Sequence, residues 1–175
     1  MPNYRRARIE GATWFFTVIT ARRQRFLADE HAISILHQSV LATLQRMPFR
    51  IDAWVILPDH MHAIWTLPAG DKDFSTRWGL IKAGFSRKSN LPQASAPRRD
   101  GGLWQPRFWE HKIRDTRDYH AHMDYAHYNP VKHGLVTRVK DWPHSSFHRA
   151  VREGIYSADW GGVEPRQSGG NNFGE

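Results

Sequence analysis

His60 and His62, separated only by Met61, follow Pro58-Asp59 and open an apolar run. Far downstream, a tyrosine-rich segment carries Asp118, His122, Tyr125 and Asn129. On a strand, successive side chains alternate faces, so His60 and His62 point the same way while Met61 turns into the core. Two imidazoles one strand repeat apart are a ready pair of metal ligands. On a helix, Asp118, His122, Tyr125 and Asn129 fall at i, i+4, i+7 and i+11 and share one face. Tyr125 and Asn129 then stand one turn apart, about 6 Å along the axis. If that face lies over the histidine strand, a phenol hydroxyl and a metal-ligating amide oxygen can flank the same phosphate.

The chemistry these groups could do is phosphodiester cleavage. A divalent cation held by two neutral imidazoles and an amide oxygen polarises the phosphate and stabilises charge on the leaving 3′ oxygen. A tyrosine nucleophile keeps the bond energy in a covalent phosphotyrosine, available for rejoining. The nitrogen and oxygen donors suit Mg²⁺ or Mn²⁺, with Mn²⁺ the better match to imidazole. Each feature also has an ordinary reading. Tyr125 can be core, Asp118 can complement a helix N-terminus, and Asn129 before Pro130 can end a helix with its side chain on nearby backbone. The combination, in this order, points to chemistry.

The elements that must position these residues can be read from the pattern. Residues 13–20 are β-branched and aromatic, a buried first strand. Asp29 caps a helix with Ile33, Leu36, Val40 and Leu44 at helical spacing, closed before Pro48. Residues 49–57 and 60–67 read as antiparallel strands joined at Pro58-Asp59. Ser75 or Thr76 caps a second helix through Trp78, Ile81 and Phe85. Residues 89–102 are rich in Pro, Ser, Ala and Gly, and read as a loop. A short strand over 108–113 precedes a third helix, capped by Asp115 or Thr116 and stopping at Asn129-Pro130, because the residue before proline is pushed out of the α region. The order β-α-β-β-α-β plus a helix predicts an α+β fold. It is a ferredoxin-like split βαβ with a four-stranded antiparallel sheet, helices on one face and an extra C-terminal helix carrying the tyrosine. Residues 1–156 form one domain, and 157–175 a Gly-rich tail expected to be flexible.

Composition narrows the partners. Lys and Arg outnumber Asp and Glu by 25 to 17 in 175 residues, and the excess lies in residues 1–150, with 23 basic against 13 acidic. Such a basic body suits a polyanion, most often nucleic acid. Arg5, Arg6 and Arg8 read as a basic arm, Arg22 and Arg23 follow the first strand, and Arg87, Lys88 and Arg107 bracket the long loop. All are candidates for phosphate contacts. The absence of cysteine excludes disulfides and thiolate zinc sites. No signal peptide or membrane-length apolar run is evident, so a cytoplasmic protein is expected.

Beyond these physical readings, PDHMHAIWTLP (58–68) resembles the His-hydrophobic-His (HUH) motif of single-tyrosine transposases of insertion sequences. GATWFFTV (11–18), WQPRFWEHKIRD (104–115), DYAHYNPVKHGLV (124–136) and DWPHSSFHR (141–149) resemble, more narrowly, the REP-associated tyrosine transposases. The resemblance spans residues 4–162. It implies that His60 and His62 are metal ligands and Tyr125 the catalytic nucleophile. Asn129 occupies the position where the wider group carries a polar metal ligand, commonly Gln. It further implies cleavage of single-stranded DNA near palindromic-repeat hairpins, leaving a 5′-phosphotyrosine and a free 3′-OH. A monomer is implied, whereas the wider group works as a dimer. Two other readings stay open: a non-catalytic hairpin-binding protein, and a metal-dependent hydrolase in which His60 and His62 activate water.

Overall fold

Thr13–Ile19 forms β1, whose residues 14–18 are all buried because both of its faces are covered. A strand covered on both sides reads as a continuous apolar run. In the computed structural model, residues 9–91 and 102–161 are described. The Arg5, Arg6 and Arg8 arm, residues 92–101 of the expected loop, and the tail from 162 lie outside them. β2 (Arg50–Ile56), β3 (His60–Thr66) and β4 (Trp109–Lys112) complete one antiparallel sheet in the order β2-β3-β1-β4. This is the expected α+β arrangement.

Two helices cover one face. α1 (Glu30–Arg46) starts at Asp29, whose carboxylate accepts from the backbone N–H groups of His31 and Ala32. α2 (Phe74–Lys88) is capped by Asp73, which accepts from Thr76 N at 2.9 Å, and not by Ser75 or Thr76 as expected. The earlier start brings Phe74 into the core at 1% exposure, beside Trp14 and Phe16. Trp14, Phe16 and Val18 of β1 and Met61, Ala63 and Trp65 of β3 share this core with α1 and α2. At its centre Trp65 stacks on Trp78, ring centroids 4.2 Å apart.

The opposite face takes α3 (Thr116–Lys132), whose Met123 and Ala126 pack on Phe15, Ala53, Val55, Leu57 and Ile64. Asp115 caps it, accepting from Asp118 N at 2.8 Å. The expected stop at Asn129-Pro130 is not where the helix ends. It runs one more turn with Pro130 inside. The stop signal is Gly134 at φ +67°: its N–H bonds to Val131 O, Leu135 N to Pro130 O, and His133 N to Asn129 O. This is a Schellman closure, which needs a residue that tolerates positive φ. Proline inside a helix gives up its N–H and crowds the carbonyl four residues back, here that of Ala126, and Pro130 is nevertheless accommodated, buried, in the last turn of α3. Among the described residues, no helix is long and apolar enough to cross a membrane.

A short helix that the sequence pattern did not suggest, α4 (Phe147–Arg152), locks α3 from outside. His127 of α3 bonds through Nε2 to Ser146 Oγ at 2.9 Å, and Ser146 Oγ also accepts from Trp54 N of β2. Burial, reinforced by the nearby charges of Arg149 and His148, pushes the His127 imidazole down to about 4. A histidine with a depressed folded value binds its proton more readily in the unfolded chain, so stability falls as pH drops from 6.5 toward 4. The loss is about 3 kcal/mol. Thermal unfolding of the parent and of His127→Gln across pH 7 to 4 checks this: the gap between them should close in acid. Parallel curves would mean that His127 does not titrate on unfolding.

Candidate active site

β3 opens at His60 directly after the Pro58-Asp59 turn, and its alternation carries His60 and His62 to the face covered by α3. Both imidazoles are buried, at 1% and 0% exposure. Their orientation is fixed by neighbours. His60 Nδ1 lies 2.7 Å from Asp59 Oδ1, and His62 Nδ1 lies 3.0 Å from Thr17 Oγ1, the residue registered opposite it on β1. Burial alone would raise the Asp59 carboxyl. The hydrogen bond and charge of His60, together with the Arg23 guanidinium, hold it below the usual carboxylate range instead. With Nδ1 engaged on each ring, a metal would be taken through Nε2. A partner on the second nitrogen is how metal-binding histidines are oriented.

α3 brings the other two expected residues to the same place. Asn129 is fully buried, and its Oδ1 lies 3.3 Å from His60 Nε2. Its backbone lies inside the helix, so it is not a terminal cap. The Tyr125 ring stands edge-on to His62 with centroids 5.3 Å apart, and also meets Phe15 at 6.1 Å. The rings of His60 and His62 are 5.0 Å apart. Two imidazoles and an amide oxygen therefore converge, with a phenol alongside. The donor atoms are nitrogen and oxygen only, which fits a divalent cation such as Mg²⁺ or Mn²⁺.

Several neighbours escaped the sequence reading. Lys132 donates to the Tyr125 hydroxyl at 3.1 Å, and the His133 ring lies 5.0 Å from that of His60. Both belong to the turn beyond Pro130, where no helix was expected. A second group joins His111 of β4 to Asp118 and His122 of α3, and these three could also hold a metal ion. As they stand they are bonded directly, His111 Nε2 to Asp118 Oδ2 at 2.8 Å, with the two imidazoles stacked 4.4 Å apart. Burial would raise the Asp118 carboxyl. Hydrogen bonds from His111 and from the Arg114 backbone and side chain outweigh it and bring the group down to about 2. The clasp ties the first turn of α3 to β4, and so fixes where Tyr125 falls. Asp118 and His122 share a helix face, as expected from their spacing. Nothing in the spacing pointed to His111.

The basic residues divide by position. Arg22 and Arg23 sit in the turn after β1, both exposed and both in the left-handed region at φ 54° and 51°. Arg23 pairs with Asp59 Oδ2 at 3.4 Å, so this turn adjoins the histidine pair. Arg87 and Lys88 are exposed at the end of α2, in the layer across the sheet from α3. Arg107 is exposed just before β4.

Comparison with known proteins fits this arrangement. No family model matches the chain. The REP-associated tyrosine transposase of Escherichia coli (strain K12) is 49% identical over 163 residues, covering 93% of this chain and 92% of that protein. A Haemophilus influenzae protein, assigned provisionally to the same family, is 42% identical over 167 residues, covering 93% and 94%. A solved structure, described as the REP-associated tyrosine transposase bound to a REP hairpin, superposes with a TM-score of 0.83 at 47% identity, covering 98% of each chain. The fold and the relatives define a transposase, an enzyme of DNA rearrangement. The chain belongs to the REP-associated tyrosine transposases.

Proposed function

We propose that this transposase cuts and rejoins single-stranded DNA beside palindromic-repeat hairpins, with Tyr125 as nucleophile and a divalent metal held by His60, His62 and Asn129. The observation that supports it most is the convergence of His60 Nε2 and Asn129 Oδ1, 3.3 Å apart, beside the Tyr125 ring. A bound Mg²⁺ or Mn²⁺ would neutralise phosphate charge as a Lewis acid. The protein groups do the rest. Tyr125 Oη attacks phosphorus, the bond to the 3′ oxygen breaks, and a 5′-phosphotyrosine and a 3′-OH result. Asp59 and Thr17 hold the imidazoles in one orientation, and the Asp118 clasp holds the helix.

The substrate class rests on the solved relative, which is bound to a REP hairpin, and on the basic body, which favours a polyanion. Arg22 and Arg23 beside Asp59 are the candidates for phosphates near the cut. Arg87, Lys88 and Arg107 would act further off. A hairpin with a single-stranded flank should be cleaved, a blunt duplex of the same sequence should not, and binding should weaken steeply with salt. Equal cleavage of the blunt duplex would contradict this substrate class. Tight hairpin binding with no cleavage at any metal concentration would favour a non-catalytic binder.

The Asn129 role has its own test. Asn129→Ala should raise the metal concentration for half-maximal cleavage about 10- to 100-fold, the range for loss of a metal-site contact. Stability should fall by about 1–3 kcal/mol as well, because Asn129 is fully buried against His60, so the metal titration is run where the variant is fully folded. An unchanged metal requirement would remove Asn129 from the ligand set.

A further inference from the structure

Lys132 lies seven residues after Tyr125 and three after Asn129, on the same stripe of α3. It reaches the tyrosine only because the helix continues through Pro130 and closes at Gly134. Its Nζ lies 3.1 Å from the Tyr125 hydroxyl and 4.8 Å from the ring centroid, although the side chain is solvent-exposed. An ammonium can only donate, so the phenol oxygen is the acceptor. A cation at a helix C-terminus also complements the helix dipole. That general preference does not specify contact with one hydroxyl.

From this contact we infer that Lys132 is a further catalytic residue, which stabilises negative charge on the Tyr125 oxygen in both directions of the reaction. The inference rests on the reading of Tyr125 as nucleophile. In cleavage, the Oη–P bond forms, the P–O3′ bond breaks, the phenol proton passes to solvent and the departing 3′ oxygen is protonated. In rejoining, a 3′-OH attacks phosphorus, the P–Oη bond breaks, and the phenolate leaves and is reprotonated. At both transition states the phenol oxygen carries partial negative charge. A donor already aimed at that atom acts without reorganisation, as preorganised donors do at other developing oxyanions. A tyrosine ester that must be made and then broken needs this help twice, because phenolate is nucleophile in one direction and leaving group in the other.

The test compares the parent, Lys132→Met and Lys132→Arg under single turnover, at saturating hairpin DNA and metal. Lys132→Met should slow adduct formation and rejoining by a similar factor, about a hundredfold by analogy with loss of one oxyanion donor. Hairpin affinity and its salt dependence should stay near the parent's, and Lys132→Arg should recover part of the rate. Replacing Tyr125 by 3,5-difluorotyrosine, whose phenolate is stabilised by its own fluorines, should speed rejoining in Lys132→Met more than in the parent. Parent-like rates in Lys132→Met would overturn the inference. So would a loss confined to hairpin affinity, which would make Lys132 a phosphate contact, and so would equal fluorine effects in both backgrounds. A parent that forms no adduct at Tyr125 would remove the nucleophile reading, and this inference with it. A parent adduct with an unimpaired Lys132→Met removes this inference alone.

Discussion

Tyr125→Phe is expected to abolish DNA cleavage and covalent capture while leaving hairpin binding close to that of the parent. The ring is half-buried against Phe15 and His62, and phenylalanine keeps those contacts. The hydrogen bond from Lys132 is lost, which costs about 1 kcal/mol at most for an exposed pair. Rate, in contrast, should fall to the background, because the nucleophilic oxygen is gone. Its neighbours are poor substitutes. The Tyr119 hydroxyl donates to Asp52 at 3.3 Å, and burial together with that carboxylate pushes it up to about 12. The Tyr128 ring packs against Trp160. A covalent adduct that persists in Tyr125→Phe, measured on a denaturing gel, would move the nucleophile elsewhere.

His60→Ala and His62→Ala should each remove metal-dependent cleavage, and chelation of the parent should reproduce the loss. These changes also touch the fold. His62 is fully buried and bonds Thr17, so its removal leaves a buried hydroxyl without that partner, a penalty of about 1–3 kcal/mol. Chelation separates the two effects, since it removes the metal from an intact protein. Asp59→Asn should be milder, weakening metal affinity about 10- to 100-fold through the orientation of His60. Cleavage that survives EDTA at the parent rate would contradict a metal-assisted mechanism.

How far the sequence led depends on the range of the interaction. The strands, the Asp29 and Asp115 caps and the shared face of Asp118, His122, Tyr125 and Asn129 follow local periods, and they stand as expected. The His60–Met61–His62 alternation did too, with Met61 in the α1–α2 core and the histidines on the other side. Two local signals competed and the weaker-looking one won. Asp73 displaced Ser75 and Thr76 because Phe74 had to be buried, and Gly134 displaced Pro130 because a Schellman closure holds the last carbonyls. Neither outcome can be decided without knowing what the helix packs against. What stayed hidden is long-range. Thr17 meets His62 across the β1–β3 register, and His111 meets Asp118 and His122 across the β4–α3 join. Lys132 became visible as a partner of Tyr125 only once the helix was seen to continue.

The central claim is that Tyr125 becomes covalently joined to DNA. Incubating the protein and a divalent metal with a hairpin carrying a single-stranded flank, then digesting it and sequencing the nucleotide-bearing peptide by mass spectrometry, tests this most directly. The account predicts a 5′-phosphate attached to Tyr125 and a released strand ending in a 3′-OH. Cleaved strands bearing free 5′-phosphates, with no modified peptide at any time point, would contradict it and assign the attack to water.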